Sequence, residues 1–261
     1  MANGTLRLGR IRIFPIKSLD GVEVARSAIT PGGILENDRV FAIFDAEGRV
    51  VNGKRTDQIH RLRATFDDEV TEVSLRSVKE TSPIRFQLDA RAPLERWLSD
   101  FFGFTVTVRH DEVTGFPDDT DAFGPTITST ESLLRVCDWY PELSLESVRR
   151  RFRANLELEG GEAFCEDRLF GGPGERKPFR VGSVGLLGHN PCQRCVVPPR
   201  DPDTGATSRG FQKSFGELRE RNLPEWSDKR RFDHFYRFAV NTSIPPSEAG
   251  KRLRVGDAVT L

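Results

Sequence analysis

The chain has 261 residues, with 39 lysines and arginines against 39 aspartates and glutamates, and 37% hydrophobic residues. That size and balance suit a soluble globular protein of one large domain or two modest ones, and exclude a basic nucleic-acid surface as the dominant feature. No run approaches the roughly 20 apolar residues that span a bilayer, and residues 1–7 lack an apolar signal core. Four cysteines in so long a chain make no disulfide framework, so free thiols and a reducing, cytoplasmic setting are expected.

The first third reads as strands. Residues 6–14 alternate apolar and polar side chains, the period of a half-buried strand, and Pro15 ends the pattern. A loop over 16–21 leads to a short strand at 22–24, and Pro31-Gly32-Gly33 makes a turn. Residues 40–51 predict a β-hairpin with Gly48 at the exit of its turn. Strands follow at 72–75 and 84–88. An amphipathic helix is expected over 93–102, with Pro93 near its start and Gly103 after its end, and then a strand at 104–108.

Residues 115–125 are turn-rich and acidic, and a boundary between two halves is placed here. Two helices follow, one opened by a hydroxyl cap at 129 and one by Ser144, the second an imperfect capping box. Strands are read at 155–158, 179–181, 235–240 and 255–261, and a helix over 211–221 that ends before Pro224. Many short strands with few helices suggest barrels or sandwiches, a mainly β, α+β architecture.

The sulfur chemistry concentrates in Pro191-Cys192-Gln193-Arg194-Cys195; Cys137 and Cys165 stand alone. A Cys-x-x-Cys pair serves as half a zinc site, as a redox dithiol, or as a thiolate aimed at a metal cofactor. A second such pair is absent, and His60, His110, His189 and His234 form no His-x-x-x-His pair; only His189, three residues before Cys192, offers a mixed zinc site. Prolines 198, 199 and 202 argue against the helix that a thioredoxin-like dithiol opens. Two structural thiols remain an open reading. Arg194 lies between the sulfurs in sequence. A guanidinium favours the thiolate and also grips phosphate with paired hydrogen bonds. One loop thus offers a metal-binding sulfur and an anion anchor.

These residues resemble the MOSC family, named for the C-terminal domain of molybdenum cofactor sulfurase, over nearly the whole chain. Phe14-Pro15-Ile16-Lys17-Ser18 and Asp38-Arg39-Val40 look like the two signatures of the β-barrel domain that precedes MOSC. Phe152-Arg153-Ala154-Asn155-Leu156, with Glu166-Asp167 after it, resembles the family's Phe-Arg-x-Asn segment. Pro191-Cys192-Gln193-Arg194-Cys195 and Asp201-Pro202-Asp203-Thr204-Gly205 look like its cofactor-cysteine segment.

The resemblance implies two β-barrel-like domains, a MOSC N-terminal domain over residues 1–115 and a MOSC domain over 116–261. It also implies a molybdenum cofactor (molybdopterin) between them, and no pyridoxal phosphate. Cys195 would be the thiolate ligand of molybdenum. Lys17, Ser18, Arg39, Arg153, Asn155 and Arg194 would grip the pterin and its phosphate, with Gln193 and Arg237 as further contacts. The acidic 118–121 stretch would line the cleft, with Asp121 touching the cofactor. The implied activity is reduction of N-hydroxylated compounds: amidoximes, hydroxylamines, N-hydroxylated bases. With no further cysteine run for an iron–sulfur cluster, electrons are expected from a separate protein, ferredoxin-like or haem-bearing. Neither a nucleic acid nor a membrane is an expected partner. The rival reading is a sulfur carrier or cofactor carrier that uses a cysteine persulfide on Cys192 or Cys195.

Overall fold

A computed structural model describes residues 5–261. Its strands and helices run in chain order as β1 (Arg7–Ile13), β2 (Val22–Val24), β3 (Arg26–Ala28), β4 (Phe41–Asp45), β5 (Leu62–Phe66), β6 (Glu72–Ser77), β7 (Ile84–Gln87), α1 (Arg91–Phe102) and β8 (Val106–His110). There follow β9 (Ile127–Ser129), α2 (Thr130–Trp139), α3 (Leu145–Phe152), β10 (Leu156–Glu159), β11 (Lys177–Val181), β12 (Val184–Gln193), α4 (Phe211–Arg221), β13 (Arg237–Ser243), β14 (Arg252–Arg254) and β15 (Val259–Thr260). The fold is mainly β, with short helices.

The largest sheet has eight strands in the order β15-β11-β12-β13-β9-β10-β1-β2. It draws strands from both sides of residue 115: β1 pairs antiparallel with β10, Ile11 opposite Leu156, and β2 continues the sheet beyond β1. Elsewhere β14 pairs with β3. The smaller sheets, β4-β8 and β5-β6-β7, belong to the first half. One contiguous apolar core joins Leu8 and Ile11 of β1 to Leu94 and Leu98 of α1 and to Val181, Leu186 and Val240 of the second half. A satellite core of Val136, Val148, Phe152, Phe215 and Phe238 seats α2, α3 and α4 against β13.

The helices stop and start where the sequence signals. Ser129 and Ser144 each accept a hydrogen bond at an N-cap, from the amides of Ser132 and Ser147, and Gly103 closes α1 in the left-handed conformation. Two strand readings change, and several strands are added. The hairpin turn at 45–48 forms, but its return arm makes only one bridge, Phe44 to Val50; β4 takes β8 as its partner over five residues instead. In the C-terminal segment, Val255 and Gly256 form a turn, Ala258 makes a single bridge to Arg7, and the strand proper is Val259 and Thr260. The longest strand, β12, goes unread in the sequence, as do β5, β9 and β14. Its glycines and proline hide the alternation. Gly188 is required there, because an added Cβ would lie 1.9 Å from the Leu169 carbonyl oxygen. No helix among the described residues is long and apolar enough to cross a membrane.

Candidate functional site

Strand β12 ends at Gln193 and delivers the cysteine loop to a cavity of about 590 Å³ lined from both halves of the chain. The size suits a single cofactor or small molecule. Ser18, Arg39, Arg153, Cys192, Gln193, Arg194, Cys195 and Arg237 all line it. Eight lysine and arginine side chains face four aspartates there, although the whole chain carries no net charge. The cationic surplus is therefore local, and it marks a site for anions.

Backbone strain is concentrated in the same place. Among the described residues seven non-glycine residues hold a positive φ, and three of them are Ser18 (74°), Arg39 (55°) and Arg153 (53°). Such conformations cost about 1–3 kcal/mol each and persist where the surroundings enforce them, most often at functional sites. Arg153 is the left-handed C-cap of α3. Its guanidinium donates to the Leu19 carbonyl at 2.8 Å and lies 4.1 Å above the Phe14 ring. It has no carboxylate partner among the described residues, and burial, followed by the nearby Arg39 charge, pushes its pKa down to about 10.

Arg39 is clamped. It pairs with Asp38 and donates to Asn155 Oδ1 at 3.1 Å. Asn155 is buried, and its amide group is consumed inside the fold: Oδ1 also accepts from the Thr126 amide and Nδ2 donates to the Arg12 carbonyl. It does not line the cavity, so it positions Arg39 from behind. Lys17 is also recessed. Its ammonium donates to the carbonyls of Phe116 and Pro117, each at 2.8 Å, and pairs with Asp118 at 2.9 Å. Desolvation lowers its pKa against the opposing pull of Asp118. The acidic segment enters the cavity through Asp118 and Asp119, whereas Asp121 is exposed and outside the lining. Burial would raise the Asp118 carboxyl, but Arg39 and Lys17 outweigh it and hold that group well below the usual carboxylate range.

The cysteine loop is asymmetric in a way its sequence does not reveal. Arg194 Nη1 lies 3.1 Å from Cys192 Sγ, and Nη2 donates to the Phe152 carbonyl. Its Nε is buried without a partner. Cys195 is held by its backbone, whose carbonyl accepts from the Tyr236 hydroxyl at 3.1 Å. His189 is bonded to Ser243 Oγ at 2.7 Å, and among the described residues no three His, Cys, Asp or Glu side chains converge on a metal position. A metal bound at these thiols would draw most of its ligands from outside the chain. Arg237 Nη1 donates to the Pro191 carbonyl and Nη2 pairs with Asp233. The cavity wall also contains residues the motifs did not single out: Asp20, Asn52, Lys54, His60, Arg63 and Arg150. No motif carries them; only the meeting of β5 and α3 with the 202–203 turn brings Arg63, Arg150, Asp20 and Asp203 together.

Comparison with known families agrees with this arrangement. The MOSC N-terminal beta barrel domain matches residues 5–114, and the MOSC domain matches residues 120–260. This chain belongs to the MOSC family.

Similar curated proteins are the mouse mitochondrial amidoxime-reducing component 1, 22% identical over 97% of this chain and 82% of its own length, and the macaque mitochondrial amidoxime reducing component 2, 21% identical over the same shares. The human mitochondrial amidoxime-reducing component 1 is 24% identical over 77% of this MOSC protein and 68% of its own length. The donor set of the MOSC cavity fits a phosphate-bearing, sulfur-ligated cofactor. It offers two thiols at the end of one strand and two half-buried guanidinium groups, Arg153 and Arg194, without carboxylate partners among the described residues, and Arg194 Nε is unsatisfied.

Proposed function

We propose that this protein is a molybdenum-cofactor oxidoreductase that reduces N-hydroxylated compounds with electrons from a separate redox protein. The observation that carries the reading is the convergence of Cys195, Arg194 and Arg153 in one cation-rich cavity, on a chain related over most of its length to amidoxime-reducing components. In such a site the molybdenum cofactor supplies the two-electron chemistry that takes oxygen from the substrate.

The chain's own residues bind and orient. Cys195 contributes the thiolate ligand. Arg153 and Arg194, half-buried and without carboxylate partners among the described residues, meet the cofactor's phosphate with charge-assisted hydrogen bonds. Arg39, fixed by Asp38 and Asn155, and Ser18, fixed by its left-handed backbone, offer donors to the pterin edge. Lys17 acts at one remove: it holds the 116–118 turn, and through it places Asp118 in the wall. Gln193 and Arg237, paired across β12 and β13, form the rim beside the cysteines. An N-hydroxylated substrate takes up two electrons and two protons and leaves as the reduced nitrogen compound and water.

The test is elemental and enzymatic together. Protein made in a host that synthesises molybdopterin is expected to hold one molybdenum per chain and, with a reductant, to turn over an amidoxime. Cys195→Ala is expected to lose both. Molybdenum content and rate unchanged in that variant would overturn the ligand assignment. The contact of Arg194 with Cys192 favours one second reading, a sulfur carrier with a persulfide stabilised on Cys192. Cyanide-labile sulfur without molybdenum would support it.

A further inference from the structure

The cations of the cavity wall fall into two groups. Five have a carboxylate partner: Arg39 with Asp38, Arg63 with Asp20, Arg150 with Asp203, Arg151 with Asp201 and Arg237 with Asp233. Three have none among the described residues: Arg153, Arg194 and Lys54. The first two are half-buried guanidinium groups and are the grips assigned above to the cofactor phosphate. Lys54 is exposed, so it stands toward the open side of the same cavity.

Its turn is built rather than loose. Asn52 Oδ1 accepts from the amides of Lys54 and Arg55, at 3.0 and 3.2 Å, and the Asn52 carbonyl accepts from the Thr56 amide. Gly53 is packed so closely that an added Cβ would lie 2.8 Å from His60 Nε2 and 3.3 Å from a Val197 methyl. Val197 is two residues beyond Cys195, so the turn rests on the cysteine loop itself. The Lys54 charge is one of those that hold the Asp118 carboxyl in the same wall ionised. An unpaired ammonium, held on a rigid turn at the mouth of a redox cavity, is placed to meet a charge that arrives with the substrate.

We propose that Lys54 is a substrate-binding residue that selects N-hydroxylated compounds carrying an oxyanion, such as a carboxylate, over neutral ones. This rests on the reductase reading for the N-hydroxyl group, but the anion selectivity is measurable without it.

The probes are benzamidoxime and its 4-carboxylate. Turnover of each is compared in the holoenzyme and in the Lys54→Met and Lys54→Glu variants, with molybdopterin content measured in all three. The ratio of kcat/KM for the carboxylate to that for the neutral compound is expected to fall about fivefold in Lys54→Met and further in Lys54→Glu, through KM. Raised salt should shrink the wild-type preference and leave Lys54→Met flat. Binding of both probes, measured by calorimetry with no electron donor, should show the same preference. A ratio that does not move overturns the proposal, as does molybdopterin lost from Lys54→Met, which would assign Lys54 to the cofactor. Selective binding without turnover would retain the anion site and reject the reductase reading.

Discussion

The cysteine pair shows how far single residues carry the argument. In sequence, Arg194 adjoins Cys195 and lies two residues from Cys192; in space its guanidinium goes to Cys192 and leaves Cys195 toward the cavity with only its backbone tied. A second buried cluster lies away from the cavity and makes its own prediction. Glu166 is fully enclosed and accepts hydrogen bonds from the hydroxyls of Thr128, Ser129 and Ser132. Desolvation, reinforced by the neighbouring Asp167 charge, pushes its pKa up to about 7. A carboxyl whose folded pKa is raised stabilises the fold most below its unfolded pKa near 4.5 and loses that contribution as pH rises through about 7. Wild type should therefore lose on the order of 3 kcal/mol relative to Glu166→Gln between about pH 5 and about pH 8. Urea unfolding of both proteins at the two pH values measures it, and a difference that does not change with pH would sink the assignment.

Strand β12 is the element that decides the site. It is the longest strand, it pairs with β11 and β13, and its last residues are the cysteine loop. Its register with β13 shifts twice, once between Gly188 and Asn190 and once between Pro191 and Gln193. The second shift puts the extra residue on β13, at Phe238 and Ala239, where Ala239 holds a positive φ, so β13 bends beside the cysteine end of β12. Periodicity could not find this strand, because Gly185, Gly188 and Pro191 interrupt the apolar alternation. Gly188 also lets β12 pass against the Leu169 carbonyl. Gly188→Ala forces backbone apart and should cost about 2–3 kcal/mol, read as a lowered Tm, with the cysteine loop displaced and cofactor retention reduced. A Tm within a degree of wild type would show that β12 has slack there. The helices, by contrast, were legible residue by residue, since Ser129, Ser144 and Gly103 cap them through local hydrogen bonds that need no distant partner.

At the scale of the molecule the two halves share a sheet, a core and a cavity. Residues 8 and 11 pack in one core with residues 156, 181 and 240, and the cavity takes Ser18, Arg39 and Lys54 from the first half and Arg153, Arg194 and Cys195 from the second. The boundary near residue 115 divides the two family matches, but strand pairing runs across it. Loss of β1 would bare the edge of β10, and loss of β3 would bare β14. The full chain is expected to unfold in one calorimetric transition, and residues 116–261 expressed alone to give no cooperative transition. Two separate transitions in the full chain would contradict this.

The sequence by itself determined what is local or carried by contiguous motifs. Strand alternation, helix caps, the class of fold, the family and the cysteine loop can all be read from neighbours in the chain, because their physical causes act over a few residues. Tertiary structure alone decided what depends on residues far apart. It recessed Lys17 and Asn155 behind the wall, brought Asp118 and not Asp121 into it, and set Arg194 against Cys192. It also left Lys54 as the unpaired cation at the mouth, since which charges pair and which stay free is fixed only when the strands of the two halves are laid side by side.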